Sequence, residues 1–236
     1  MTQSDDPSPV NPLPPVVAAL FLVLIGIELV FQAGTRGFAG GPEAVGWRLA
    51  AVQNYAFSAP ILDWMIETGR WPVEHVIRFV SYPFVHGSLM HAVFGGIILL
   101  AMGKIVAEAF GAWRMLVMFF AASALGALAY ALVMNDPVPL IGALPGDYGL
   151  IGGFTFILWY KLGQIGANQS RAFAMITILM LLQLAFGLVG ALFGGSMAIM
   201  NSDWIADLTG FVTGFGLSFL LVPGGWSRLR SHIRHD

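Results

Sequence analysis

The 236-residue chain contains no cysteine. Disulfide bonds, thiolate metal sites and a cysteine nucleophile are therefore excluded, and thiol usage gives no information on the redox compartment. Charged residues make up only 10% of the chain, against about 25% in an ordinary soluble domain, whereas hydrophobic residues make up 57%. Together with a mean hydropathy of +0.78, this composition excludes a soluble globular domain.

Positive charge is also scarce. The chain has 11 Lys and Arg against 13 Asp and Glu, a formal net charge of −2, and no basic run precedes the C-terminal tail. Nucleic acid is therefore not an expected partner, because its phosphates require clustered Lys and Arg. His86 and His91 are five residues apart without a third ligand, so we expect no metal site and no cofactor.

Apolar stretches that could cross a membrane fill most of the chain. The first begins after Pro15, and charge-free stretches follow at residues 79–103, 115–135, 148–160, 172–202 and 208–226. A transmembrane helix needs about 20 mainly apolar residues. The sequence predicts an all-α polytopic membrane protein with six transmembrane helices. Its parts are a short disordered lead (1–13), a membrane domain (14–226) and a basic tail (227–236).

The fourth stretch is unusually short. Its 13 residues would span about 20 Å as a helix, less than a hydrocarbon core of about 30 Å. We expect this helix to begin partway across the membrane, after a loop at residues 137–146. Irregular backbone at that depth must face protein or water, so the sequence predicts a water-accessible pocket there.

The basic residues predict the orientation. Lys104 and Arg114 separate helices two and three, Lys161 and Arg171 separate helices four and five, and arginines follow helix six. By the positive-inside rule both termini are cytoplasmic, in the inner membrane if the protein is bacterial, and the long first loop is external. Tryptophans in that loop suggest short interfacial helices. Glycines four residues apart predict close contact among helices four, five and six: Gly149 and Gly153, Gly190 and Gly194, Gly210 and Gly214.

Three stretches together resemble the rhomboid intramembrane serine proteases (peptidase S54-like). The first runs from Arg78 to Gly95 and includes the histidine pair His86 and His91. The second runs from Gly103 to Arg114 and has the family's pattern of Gly, Glu, Gly and aromatic residue. The third, residues 206–214, is similar to the family's Ala-His-x-x-Gly-x-x-x-Gly on helix six, with Asp207 in place of His. The resemblance implies a six-helix rhomboid-like bundle with a long external first loop.

The resemblance also implies a catalytic dyad that this sequence lacks. Rhomboid proteases use a Ser at the head of helix four and a His on helix six, because a serine hydroxyl needs a base to become a nucleophile. Here the Ser position holds Leu144 or Tyr148, depending on the alignment, and the His position holds Asp207. No Ser occurs between Ser123 and Ser170, and no His between His91 and His232.

The oxyanion-stabilising pair is half retained. His91 matches the family's helix-two His, but the Asn four residues later is Gly95. Such donors are often the largest electrostatic contribution to catalysis.

We therefore expect a pseudoprotease that binds transmembrane helices of client proteins within the lipid bilayer. The candidate residues of the client-binding cavity are His91, Tyr148 and Asp207. The alternatives are an active rhomboid-type serine endopeptidase and a non-catalytic scaffold for membrane complex assembly.

Other ionisable residues allow further interpretations. Glu28 lies near the outer end of helix one and is expected to reach the interface, and His75 and His86 are expected at the outer interface without a role. Asp147 and Asp207 could form an aspartic dyad that activates water, although hydrogen-bond reach between them cannot be judged from sequence. Asp207 could equally be a solvated residue at a helix N-terminus.

Overall fold

A computed structural model describes residues 12–134, 137–193 and 203–222. These residues form ten α-helices, three short 3₁₀ turns and no strand beyond one bridge between Phe57 and Leu140. The helices are α1 Pro15–Thr35, α2 Trp47–Tyr55, α3 Ala59–Thr68, α4 Val73–Val76, α5 Arg78–Ser81, α6 Leu89–Phe110, α7 Ala112–Met134, α8 Leu144–Gln164, α9 Ala174–Phe193 and α10 Trp204–Leu221. The all-α prediction is confirmed.

Helices α1, α6, α7, α8, α9 and α10 correspond to the six predicted spans. Within the described ranges, five segments are long and apolar enough to cross a membrane, and these segments include α1, α6, α7, α10 and most of α9. The chain is thus a multi-pass membrane protein, and the total of six spans stays a prediction. Only residues 12 and 13 of the predicted lead are described. The predicted tail and Gly194 lie outside the described residues.

The predicted short fourth span is wrong. Helix α8 has 21 residues, about 31 Å of helix, and begins at Leu144. The prediction treated Asp147 as a boundary, but this residue lies buried in the first turn of α8. Pro145 fits there because proline has no backbone N–H, and the N–H groups in the first turn of a helix have no carbonyl partner within the helix.

The predicted second span starts too early. Residues 78–84 form α5 and a 3₁₀ turn at Tyr82–Phe84, and α6 begins only at Leu89. The backbone N–H of His91 donates to the side chain of Ser88, which caps the helix. At the other end, Gly111 takes a φ of +98°, a conformation that favours glycine. The prediction missed the break because residues 79–88 carry no charge.

The first loop folds back onto the bundle. Helices α2 and α3 confirm that its tryptophan-bearing stretches are helical. Arg78 donates hydrogen bonds to the carbonyl oxygens of Ala56 and Gln53 at 2.9 and 2.8 Å. The guanidinium therefore holds the end of α2 against α5.

Glycines bring α8 and α10 into direct contact. A Cβ on Gly214 would overlap the carbonyl oxygen of Gly149, and one on Gly210 would overlap that of Pro145. The predicted contact of helices four and six is confirmed, and such close backbone approach is a main source of helix association in lipid. By contrast, only 11% of the apolar window that contains most of α9 is buried, against 44% for α7.

Candidate functional site

Two carboxylates lie buried where α8 and α10 begin. Asp147 is in the first turn of α8 and Asp207 in the first turn of α10, and both are 0% exposed. The two helix heads pack against each other, because a Cβ on Gly210 of α10 would overlap the carbonyl oxygen of Pro145 in α8. The solvated alternative for Asp207 is therefore wrong.

The absence of a side chain at Gly95 leaves room for Asp147. A Cβ built on Gly95 would lie 3.4 Å from Oδ2 of Asp147 and 3.8 Å from Nε2 of His86. Neither oxygen of Asp147 has a hydrogen-bond partner among the described residues, and the same holds for Nε2 of His86. The position that matches the family's oxyanion Asn is thus adjacent to an unpaired buried carboxylate.

The two histidines of the first motif lie together. The rings of His86 and His91 meet edge to face with centroids 5.0 Å apart, and the His91 ring packs against Gly142. His86 is completely buried within the protein, and its place at the level of the outer interface stays a prediction. Burial, and then the neighbouring His91, lower the pKa of His86 to about 4. The His86 ring is therefore neutral at pH 7.

Helix α9 contributes one polar group to the site. Nε2 of Gln183 donates a hydrogen bond to Oδ2 of Asp207. The other oxygen of Asp207 has no hydrogen-bond partner in the described part of the chain. This bond attaches the lipid-exposed α9 to α10.

The two candidates for the serine position lie one turn apart. Leu144 is the first residue of α8 and is half-buried. Tyr148 is 3% exposed and packs with Ile151, Ile176 and Phe211. Because Tyr148 and Asp207 are buried, the structure does not open the predicted water-accessible pocket around them. A cavity of about 550 Å³ lies elsewhere, between α1 and α2.

The buried Ser123 faces the head of α8 but is not an activated nucleophile. A Cβ on Gly146 would lie 2.7 Å from its Oγ. Its hydroxyl donates to the carbonyl oxygen of Phe119 in its own helix at 2.9 Å. A general base would have to accept that proton instead.

Glu28 is also buried, at 1% exposed, so the prediction that it reaches the interface is wrong. Arg48 donates to both its oxygens at 2.7 and 2.8 Å, and Gln32 donates at 2.9 Å. Arg48 also donates to the carbonyl oxygen of His86. The Glu28–Arg48 pair therefore joins α1, α2 and the segment before α6.

Sequence reasoning missed two residues of this site. Gln183 is the only Gln in the apolar stretch of residues 172–202, and an amide in the middle of a span is a usable signal. His86 carried no such signal, because its burial depends on how the first loop folds.

Among the described residues, no group of three or more His, Asp and Glu could hold a metal ion.

The fold and site define a multi-pass helical membrane protein with polar side chains enclosed where its helices meet. The sequence model described as "Rhomboid domain" matches residues 73–224, more than half of the chain. The chain belongs to the rhomboid family.

Similar proteins include "Rhomboid protease GlpG" from two strains of Klebsiella pneumoniae, 24% identical over 183 residues that cover 75% of this chain and 60% of the relative. "RHOMBOID-like protein 4" of Arabidopsis thaliana is 28% identical over 160 residues, 65% of this chain and 37% of the relative. The chain thus spans about 60% or less of the length of these relatives.

Proposed function

We propose that this rhomboid-family protein has lost serine proteolysis and binds the transmembrane segments of client membrane proteins. The observation that supports the proposal best is the hydrogen bond that Asp207 accepts from Gln183. Asp207 occupies the position at which rhomboid proteases carry the histidine base.

The head of α8 supports the same proposal. Leu144 is its first residue, and the family's serine lies at the head of helix four, so we favour the alignment that places Leu144 at the serine position. A leucine side chain has no nucleophilic atom.

We also propose that both termini are cytoplasmic, as the basic residues predict. A reporter fused after Asp236 should then be active in the cytoplasm. An external C-terminus would contradict the six-helix topology.

Binding of a client helix follows from the chemistry of the bilayer. Polar groups of a helix in lipid have no water to bond with, so they gain about 0.6–2 kcal/mol from each interhelical hydrogen bond. His91, Tyr148 and Asp207 would supply such partners near the start of α8 and α10 after the client displaces the contacts that Tyr148 and Asp207 make with α9. Binding through a few such bonds is reversible and selects clients with polar or helix-weakening residues.

Two measurements on the full-length protein test this proposal. A fluorophosphonate probe should leave the purified protein unlabelled. Specific labelling and cleavage of a rhomboid substrate would instead favour an active protease, as the name of the Klebsiella relative suggests. Photo-crosslinkers at Leu144, Tyr148 and Phe186 should capture client helices in cells. The matched control at Trp113, which is exposed at the start of α7, should not, and equal capture there would contradict binding at this site.

A further inference from the structure

The buried carboxylates of the membrane helices fall into two kinds. Glu28 has a cation, because Arg48 donates to both of its oxygens. Asp147 and Asp207 have none among the described residues. Three of their four oxygens lack any hydrogen-bond partner there, and the fourth accepts from the neutral amide of Gln183.

A buried carboxyl group without hydrogen-bond partners is unfavourable. Removing an ionised carboxylate from water costs several kcal/mol unless a partner compensates, and acids inside membranes generally pair with other groups. His86 lies beside the same space, but neither of its ring nitrogens bonds to Asp147. Among possible partners, a cation would satisfy the unpaired oxygens of the two aspartates most strongly, because it offsets the cost of an ionised carboxylate in the bilayer.

We propose that Asp147 and Asp207 form a receptor for a basic side chain, a Lys or an Arg, in the transmembrane segment of a client. This inference rests on the proposed function and specifies the client. Charge complementarity identifies the occupant, since a basic residue within a span has the same need for an opposite charge as the aspartates. A single ammonium or guanidinium offers several donors to the unpaired oxygens.

Access to the receptor runs past Gln183. Helix α9 is largely exposed to lipid, with Leu181, Leu182 and Leu184 each about half exposed or more. Gln183 on the same helix donates a hydrogen bond to Asp207. An incoming ammonium or guanidinium replaces this amide, because a charge-assisted hydrogen bond is roughly twice as strong as a neutral one. The long stems of Lys and Arg allow the head group to reach beyond the surface of its own helix.

The test compares four model transmembrane peptides that differ at one position near the outer end, which holds Lys, Gln, Leu or Glu. Binding to the purified full-length protein in nanodiscs is measured by fluorescence energy transfer. We expect the Lys peptide to bind about tenfold more tightly than the Gln peptide, the effect of about 1.4 kcal/mol, and the Glu peptide to bind most weakly.

The variant D147N/D207N keeps the shape of both side chains and removes their charge. We expect it to bind the Lys and Gln peptides with affinities within about twofold of each other. The matched control E67Q removes an exposed carboxylate of α3 and should keep the tenfold preference. Client binding without a preference for Lys would overturn the receptor and leave the proposed function standing, whereas no binding of any peptide would overturn both.

A second variant tests the receptor from inside the chain. Gln183→Lys places an ammonium beside Asp207, so it should raise the thermal unfolding temperature and abolish the preference for the Lys peptide. A lower unfolding temperature with the preference retained would overturn the receptor.

Discussion

Glu28 and Asp207 are both buried carboxylates on membrane helices, but their surroundings differ. Arg48 and Gln32 donate to Glu28 with good geometry, whereas Asp207 accepts from Gln183, and Asp147 beside it has no donor among the described residues. The first site is complete within the chain and holds three segments together. The second retains unused hydrogen-bonding capacity among the described residues, and a buried polar group without a partner requires an explanation. Substitutions at both sites can test this difference.

The largest effect is expected at the complete site. Arg48→Ala leaves Glu28 buried without its cation, which should lower the free energy of unfolding by about 3 kcal/mol. Unfolding of the purified protein in mixed micelles, titrated with a denaturing detergent, measures this loss. The double variant Glu28→Leu with Arg48→Leu should recover most of it, because no buried charge then remains. A single variant as stable as the parent would show that the pair is dispensable.

A change of opposite sign is expected at the incomplete site. Asp147→Asn is nearly isosteric and removes a buried ionisable group that lacks a partner, so the free energy of unfolding should rise by about 1 kcal/mol. The same detergent titration applies. Stability equal to or below that of the parent would mean that Asp147 already has a stabilising partner within the protein. The comparison with Glu28 would then fail.

The smallest effect is expected at α9. Gln183→Leu removes the hydrogen bond to Asp207 and should lower the free energy of unfolding by about 0.6 kcal/mol, a typical value for one interhelical hydrogen bond in a membrane protein. The control Leu182→Ile changes a neighbouring lipid-exposed side chain and should be neutral. If the two variants behave alike, the amide adds nothing to the attachment of α9.

The sequence predicted local features well and long-range burial poorly. Glycine spacing identified the contact of α8 with α10, because four-residue spacing places both glycines on one helix face. The absence of Ser between Ser123 and Ser170, and of His between His91 and His232, is read directly from the sequence. The length of α8 was wrong, because a carboxylate marks the end of a span in a linear sequence unless its burial is known. The burial of His86 and the bond from Gln183 depend on how distant segments meet, which spacing does not encode.

The space beside Gly95 has an evolutionary consequence. A Cβ at this position would lie 3.4 Å from the carboxylate of Asp147, an ordinary contact distance, so the remaining atoms of the family's Asn would lie beside that carboxylate. The side chains at positions 95 and 147 therefore share one buried space. We expect these two positions to change as a pair among related sequences.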